Sequence, residues 1–229
     1  MKNSSEYAKK FKTLCKKLPA EEAVMHEDGP LAELIYSQLL WNATKRQADT
    51  AYRKLMKASI DLNDLRMNMP QETIEVIGTN YPQAEDRARR LRATLRAIYL
   101  REHDVTFTSL SDAGKTEAKE YIQTLDGITH FVSGRVLSLC FGVSVFPVDD
   151  RTYHALMTAG VLHEDASMDE TATWLSRQVK ADDVSRVHGR IHAWAEKQPA
   201  RKNAPKPVAK QAVTKKAAKK KTTKKKSKK

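Results

Sequence analysis

The sequence is poor in cysteine and lacks long apolar runs. Its 229 residues include only two cysteines, Cys15 and Cys140, which are too few for a disulfide framework or a cysteine-ligated metal cluster. No apolar run approaches the ~18 residues that a membrane span needs, and no apolar stretch follows the N-terminal lysines, as it would in a secretory signal. We therefore expect a soluble cytoplasmic protein with no metal, no other cofactor and no membrane partner.

Strand signals are scarce as well. Apolar residues instead recur at helical spacing through most of the first 198 residues, for example along residues 4–18, 31–40 and 84–102. The β-branched run at residues 104–109 is short, and we expect it to be a loop. The sequence therefore predicts an all-α body over residues 1–198.

Acidic residues are absent from the C-terminal part of the chain. Residues 200–229 contain 14 of the 41 basic residues, which leaves 27 basic against 28 acidic residues in the rest. A lysine-rich sequence that cannot bury apolar surface is typical of disorder, so residues 199–229 are predicted to be a disordered tail. Lysines bind phosphate without sequence preference, although a tail that only improves solubility would have the same composition. The tail residues expected to contact DNA are Lys219, Lys220, Lys221, Lys224, Lys225 and Lys226.

The most informative stretch is residues 125–150. Its turn signal, Asp126-Gly127, precedes an apolar run with helical spacing that begins near Phe131 and that Gly142 can end. A short connector then leads to two adjacent carboxylates, Asp149-Asp150, just before another helical pattern at residues 153–162. The stretch predicts two helices joined by a tight turn, followed by a connector and an acid at the start of the next helix.

This arrangement resembles the helix-hairpin-helix DNA glycosylase superfamily of the endonuclease III type. The family's hairpin glycine, the Phe-Gly pair and the downstream Val-Asp pair are in register with Gly127, Phe141-Gly142 and Val148-Asp149. Weaker matches follow in the family's order, with residues 41–44 as the DNA-probing loop and His188-Gly189-Arg190 in the final helix. The resemblance implies a two-lobed helical fold, with double-stranded DNA as the partner of a monomeric, nucleoid-associated protein.

The resemblance also implies a catalytic role for Asp149. In glycosylases of this type the equivalent carboxylate assists attack on the sugar and stabilises the positive charge that develops there. An acid before a helix also caps free backbone N–H groups, and one residue can do both. Phe131 stands where bifunctional members carry a lysine, and phenylalanine cannot form a Schiff base. Ala193 stands where the first cysteine of the family's iron–sulfur cluster is expected, so the sequence excludes that cluster.

The remaining DNA contacts implied by the resemblance come from the hairpin and the probing loop. The residues implied to bind phosphate through backbone N–H groups are Gly127, Ile128 and Thr129. Thr129 replaces the second hairpin glycine and Asp126 replaces a proline, which predicts weaker binding; a turn that only joins two helices is the structural alternative. Asn42 matches the position that fills the gap left by an extruded base, and the neighbouring Trp41 can stack on a base or pack in the core.

Three functions fit these observations. The first is a monofunctional DNA N-glycosylase that acts on damaged or mispaired bases, with Asp149 at the mouth of a cleft for an extruded nucleotide. The second is a non-catalytic DNA-binding or chromatin-associated protein on the same fold, anchored mainly by the tail. The third is a nucleic-acid binder that works through the tail while its body recognises a protein. The retained carboxylate favours the enzyme, whereas Phe131 and the altered hairpin favour the second function.

Overall fold

The computed structural model describes residues 4–198, and every regular element in that range is helical. Two short 3-10 turns cover Thr108–Leu110 and Ala181–Asp183. The prediction of an all-α body is confirmed. The eleven α-helices are α1 (Ser4–Lys17), α2 (Pro30–Leu40), α3 (Lys45–Ala58), α4 (Leu62–Met67), α5 (Pro70–Ile77), α6 (Ala84–Glu102), α7 (Lys115–Gln123), α8 (His130–Cys140), α9 (Asp150–Thr158), α10 (Met168–Gln178) and α11 (Val184–Glu196).

The predicted tail, residues 199–229, lies outside the described residues. The same holds for the six lysines expected to contact DNA, which are Lys219, Lys220, Lys221, Lys224, Lys225 and Lys226. The role of the tail therefore stays a prediction.

The helices pack around two separate cores. The larger core is built from α2 to α8 and includes Leu34, Leu95 and Phe131, none of which is more than 1% exposed. The smaller core joins α1 to α9, α10 and α11, and the connector after α8 contributes Phe146 to it. Helix α8 packs on α2 and α7 in the first lobe and on α11 in the second, so it lies between the two cores. This arrangement confirms the two-lobed fold.

Local capping interactions fix where several helices begin. The Thr44 hydroxyl accepts a hydrogen bond from the N–H of Gln47 at the start of α3, and the Gln47 side-chain oxygen accepts one from the Thr44 N–H. Helix α9 begins at Asp150, three residues before the predicted start at Tyr153, because Asp149 caps it. It ends at Thr158, before the predicted Leu162, and Gly160 follows with a positive φ of 67°.

No helix among the described residues is both long enough and apolar enough to cross a membrane. This finding agrees with the absence of long apolar runs in the sequence.

Candidate functional site

The hairpin between α7 and α8 is present as predicted. Gly127 has a φ of 75°, and a Cβ built there would lie 2.6 Å from the backbone oxygen of Arg90. Glycine is therefore required at this position for two reasons, the left-handed backbone and the close approach to α6. The Thr94 hydroxyl donates to the Asp126 carbonyl at 2.8 Å and holds the turn against α6. This packing accounts for Gly127 without any ligand.

Thr129, the residue in place of the second hairpin glycine, is the N-cap of α8. Its hydroxyl accepts a hydrogen bond from the Val132 N–H at 3.2 Å. Gly127, Ile128 and Thr129 are all partly exposed, whereas Asp126 beside them is exposed. The Ile128 N–H, predicted to bind phosphate, instead donates to the Leu125 carbonyl at 3.3 Å because it closes the turn, and the Asp126 carboxylate opposes an anion at this place.

The predicted probing loop connects the two lobes. Asn42 has a left-handed φ of 55°, which is uncommon for a residue other than glycine. Its side-chain amide donates to the Asp150 carboxylate at 2.7 Å and accepts from the Asp150 N–H at 3.0 Å. The Asn42 backbone N–H donates to Asp149 at 3.2 Å. Trp41 is partly buried, packs against the larger core and lies against the guanidinium of Arg90 at 5.3 Å, which agrees with the packing alternative.

Asp149 lies beneath the surface instead of at the mouth of a cleft. It is 1% exposed, and one carboxylate oxygen accepts from the Thr152 N–H at 2.9 Å while the other accepts from Asn42. Backbone N–H donors compensate the buried charge. The capping role is thus established, and a catalytic role requires the Asn42 contact to open.

Phe131 fills the position at which a lysine is expected in bifunctional glycosylases. It is 1% exposed, and its ring contacts two imidazoles on α11, those of His188 at 5.8 Å and His192 at 6.3 Å between ring centroids. Phe131 is therefore a core side chain that packs against α11.

A buried ion pair joins α2 to α8 and contacts α11. The Arg135 guanidinium donates to Glu33 at 2.9 Å, and both side chains are at least 96% buried. Ser37 also donates to this carboxylate at 2.6 Å, and Arg135 contacts His188 Nε2 at 2.9 Å. Because Arg135 can only donate, His188 Nε2 accepts, which places the imidazole proton on Nδ1. The network links the two lobes through three helices.

The two buried histidines predict a loss of stability in mild acid. Burial, Arg135 and His192 lower the pKa of His188 well below its ordinary value, and burial also lowers the pKa of His192 against the opposing effect of Asp149. The unfolded chain therefore binds protons first as the pH falls below ~6.5. The free energy of unfolding should fall by about 1.4 kcal/mol per pH unit for each histidine that stays neutral in the fold.

Urea unfolding at pH 7.5 and 5.5 measures this effect directly. A His188→Gln variant should show about half of the loss, because one histidine of the pair remains. Equal stability of the native protein at both pH values would contradict the assignment.

A cavity of about 610 Å³ opens between the lobes, within the ~300–1,000 Å³ range of small-molecule sites. Its walls come from the segment before α2, from α2 and α3, and from α8 and α11. It borders the probing loop on both sides, through Leu40 and Lys45. The polar and aromatic groups that line it include Glu21, Glu22, His26, Glu33, Tyr36, Asp49, Tyr52, Arg53, Arg135, His192, Glu196 and Lys197.

One residue of the cavity wall, His192, lies within reach of the charge of the buried Asp149. It lines the cavity, its Nδ1 lies 3.4 Å from the Glu196 carboxylate, and the charge of Asp149 acts on its pKa. Its buried Nε2 has no hydrogen-bond partner among the residues that the structure describes. Asp149 itself does not line the cavity.

Comparison with known proteins identifies the fold. The sequence matches no protein-family profile and no curated protein. Among solved structures, a trapped endonuclease III–DNA covalent intermediate has a TM-score of 0.63 at 18% identity, covering 85% of this chain and 86% of that one. The chain has the helix-hairpin-helix DNA glycosylase fold.

Other structures with this glycosylase fold support the assignment. Helicobacter pylori 3-methyladenine DNA glycosylase (MagIII), bound to 1,N6-ethenoadenine, has a TM-score of 0.58 at 19% identity and covers 86% of this chain and 99% of its own. A Clostridium acetobutylicum 8-oxoguanine glycosylase/lyase in complex with DNA has a TM-score of 0.58 at 15% identity, covering 73% of this chain and 60% of its own. At these identities the likeness concerns the fold.

The structure adds residues that the sequence analysis did not single out, namely Glu33, Arg135 and His192. Arg135 carries a sequence signal, because it is the only arginine or lysine in the otherwise apolar helix α8. Glu33 likewise interrupts the apolar pattern of α2. A lone charge in a buried helix predicts a buried partner, but the sequence does not say which one. No cluster of three potential metal ligands occurs among residues 4–198.

Proposed function

We propose that this protein binds double-stranded DNA as a monomer and removes a damaged or mispaired base by hydrolysis, as a monofunctional DNA N-glycosylase. The observation that carries the proposal is the cavity of about 610 Å³ between the lobes, beside the Asn42 loop and lined by His192, on whose pKa the charge of Asp149 acts. A protein that binds only the DNA backbone does not need a cavity between its lobes. The fold itself supports a repair glycosylase.

Asn42 couples base extrusion to the exposure of Asp149 in this proposal. When the Asn42 side chain enters the gap left by the extruded base, it leaves Asp150, and its backbone N–H moves away from Asp149. The freed carboxylate oxygen then lies near the sugar of a nucleotide whose base occupies the cavity. A negative charge in a site of low dielectric stabilises an oxocarbenium-like centre more strongly than it would in water.

Water is the nucleophile in this scheme. Its oxygen bonds to the anomeric carbon, the glycosidic bond breaks with its electron pair going to the base, and the proton lost by water passes to Asp149 or to bulk water. Phe131 provides no amine, so no Schiff base forms at that position and the strand stays intact.

The test is a panel of duplexes that contain uracil, oxidised, alkylated or mismatched bases. After incubation with the protein, alkali should cleave at least one of them at the lesion, and without alkali the strand should remain whole. Cleavage without alkali would contradict the role given to Phe131. Absence of abasic sites across the panel would overturn the proposal.

A non-catalytic DNA-binding protein is the second candidate, and the burial of Asp149 favours it. Both carboxylate oxygens have backbone partners in the free protein, which fully explains the residue as a helix cap. In that case the cavity would bind no base, and the protein would bind lesion-bearing and intact duplexes equally. An affinity comparison of the two kinds of duplex separates the candidates.

We expect the tail to supply most of the salt-dependent affinity for DNA, because the remainder of the chain is near neutral. If about six lysines engage phosphate, affinity should fall roughly 1,000-fold between 50 and 200 mM salt. Replacing the six lysines at positions 219, 220, 221, 224, 225 and 226 with glutamine should make the salt dependence clearly weaker, while keeping the length of the chain and the other eight basic residues of the tail. Fluorescence anisotropy with a labelled duplex measures the slope of affinity against salt concentration for the native protein and for the variant. Equal slopes would contradict the role of the tail.

A further inference from the structure

The cavity between the lobes has an acidic wall. Residues 18–44 contain five acidic residues and neither lysine nor arginine. The part of this stretch between α1 and α2, residues 18–29, crosses α11, where a Cβ on Gly189 would lie 2.3 Å from the Ala23 nitrogen. Arg190 fixes the start of the segment by donating to the Pro19 carbonyl at 2.8 Å. The acidic segment is therefore held in place as one wall of the cavity.

Several carboxylates at the cavity have no lysine or arginine partner. Arg135 is paired with Glu33, and Lys45 is paired with Asp49 at 2.9 Å. No lysine or arginine among residues 4–198 forms an ion pair with Glu21, Glu22 or Glu196, all of which line the cavity. Arg53 and Lys197 also line it, so the excess of negative charge lies on the side of the acidic segment.

Three aromatic rings, those of His26, Tyr36 and Tyr52, line the cavity together with the acidic residues. The ring centroids of His26 and Tyr52 are 4.4 Å apart, and Tyr36 lies 6.0 Å from Tyr52. Burial, with Asp28, Glu33 and Glu27 nearby, raises the pKa of Tyr52 to about 12. Aromatic faces beside carboxylates favour an organic cation, and the contact with an ammonium group is worth about 0.5–2 kcal/mol.

The described chain ends at the edge of the same cavity. Lys197 lines it, and Gln198, the last described residue, bonds to the Trp194 carbonyl on α11. The sequence continues with Arg201, Lys202 and Lys206. Four extended residues span up to about 14 Å, so the first basic residues after Gln198 can reach the cavity without any rearrangement of the lobes.

We propose that the lysine-rich segment of this same chain, residues 199–229, docks a lysine side chain into the cavity when DNA is absent. The ammonium group lies on the cavity side of the Tyr36 and Tyr52 rings, and neighbouring lysines pair with Glu21, Glu22 and Glu196. Duplex DNA draws the segment away by offering it phosphates, which frees the cavity for a base. This self-docking goes beyond the proposed function, since it requires no catalysis.

Zero-length cross-linking of the full-length protein tests the docking. A carbodiimide joins a carboxylate to a lysine amine as an amide, with loss of water, only when the two are in contact. In low salt without DNA, peptide mass spectrometry should find tail lysines joined mainly to Glu21, Glu22 and Glu196. The exposed acids Glu75 and Glu164, on other parts of the surface, serve as matched controls and should react several-fold less. Adding an undamaged duplex should abolish the cavity cross-links.

Two outcomes would overturn the docking. One is an even spread of cross-links over the cavity acids and the control acids. The other is a cross-link between a labelled and an unlabelled molecule when isotope-labelled and unlabelled protein are mixed, which would show that the segment binds a second copy of the chain. A Tyr36→Leu/Tyr52→Leu variant should lose cavity cross-links, whereas Tyr36→Phe/Tyr52→Phe should keep them. Neither readout depends on base excision, so failure of the proposed function would leave the result intact.

Discussion

Replacing Asp149 with serine should abolish base excision and leave the protein folded. Serine is a good helix N-cap, so its hydroxyl can still accept from the Thr152 N–H, which Asp149 now accepts at 2.9 Å. The negative charge beside the sugar is lost, and loss of one such electrostatic group typically costs 100- to 1,000-fold in rate. Single-turnover excision on the best duplex of the lesion panel measures the rate, and thermal unfolding checks the fold.

Asp61→Ser is the matched control for this substitution. Asp61 caps α4 in the same way, accepting from the Asp64 N–H at 2.7 Å, but it lies away from the cavity. Both variants should lose up to about 1 kcal/mol of stability, and only Asp149→Ser should lose activity. If Asp149→Ser excises the base at the native rate, Asp149 is a helix cap and nothing more.

Replacing Arg135 with alanine should cost about 3–5 kcal/mol of folding free energy, because Glu33 would stay buried without its cation. Glu33 is fully buried and Arg135 is 4% exposed at the side chain, so water cannot take over the lost contact. A loss of this size is a large part of the total stability of a domain. Urea unfolding followed by circular dichroism measures it.

An exposed ion pair serves as the control for the Arg135→Ala variant. Arg89 pairs with Glu85 on the solvent side of α6, and Arg89→Ala should cost less than about 1 kcal/mol. The double variant Glu33→Met/Arg135→Met should be more stable than Arg135→Ala, because it leaves no buried charge unpaired. If Arg135→Ala costs no more than Arg89→Ala, the buried network does not stabilise the contact between the lobes.

The sequence predicted the helices because their signals are local. Apolar spacing located α1, α2 and α6 within one residue of their observed bounds, and Gly142, with a φ of 60°, follows α8 as predicted. The start of α9 was predicted three residues too late, because the prediction followed the apolar pattern that begins at Tyr153. The helix begins at Asp150, since Asp149 caps it.

The burial of Asp149 and the cavity could not be predicted in the same way. Asp149 is covered by the loop of Asn42, which lies 107 positions earlier in the sequence. The cavity walls come from five separate segments, and its acidic side depends on how residues 18–29 cross α11 at Gly189. The signals within reach of the sequence were Arg135 and Glu33, because a lone charge inside an apolar helix requires a buried partner.

In the proposed function, an extruded base enters the cavity between the lobes and is released by water. Mass spectrometry of the products formed from a lesion-bearing duplex, with and without borohydride, tests it most directly. We expect a free base and an intact strand with one abasic site, and no protein–DNA adduct in borohydride. A borohydride-trapped adduct, or no released base from any lesion, would contradict the account.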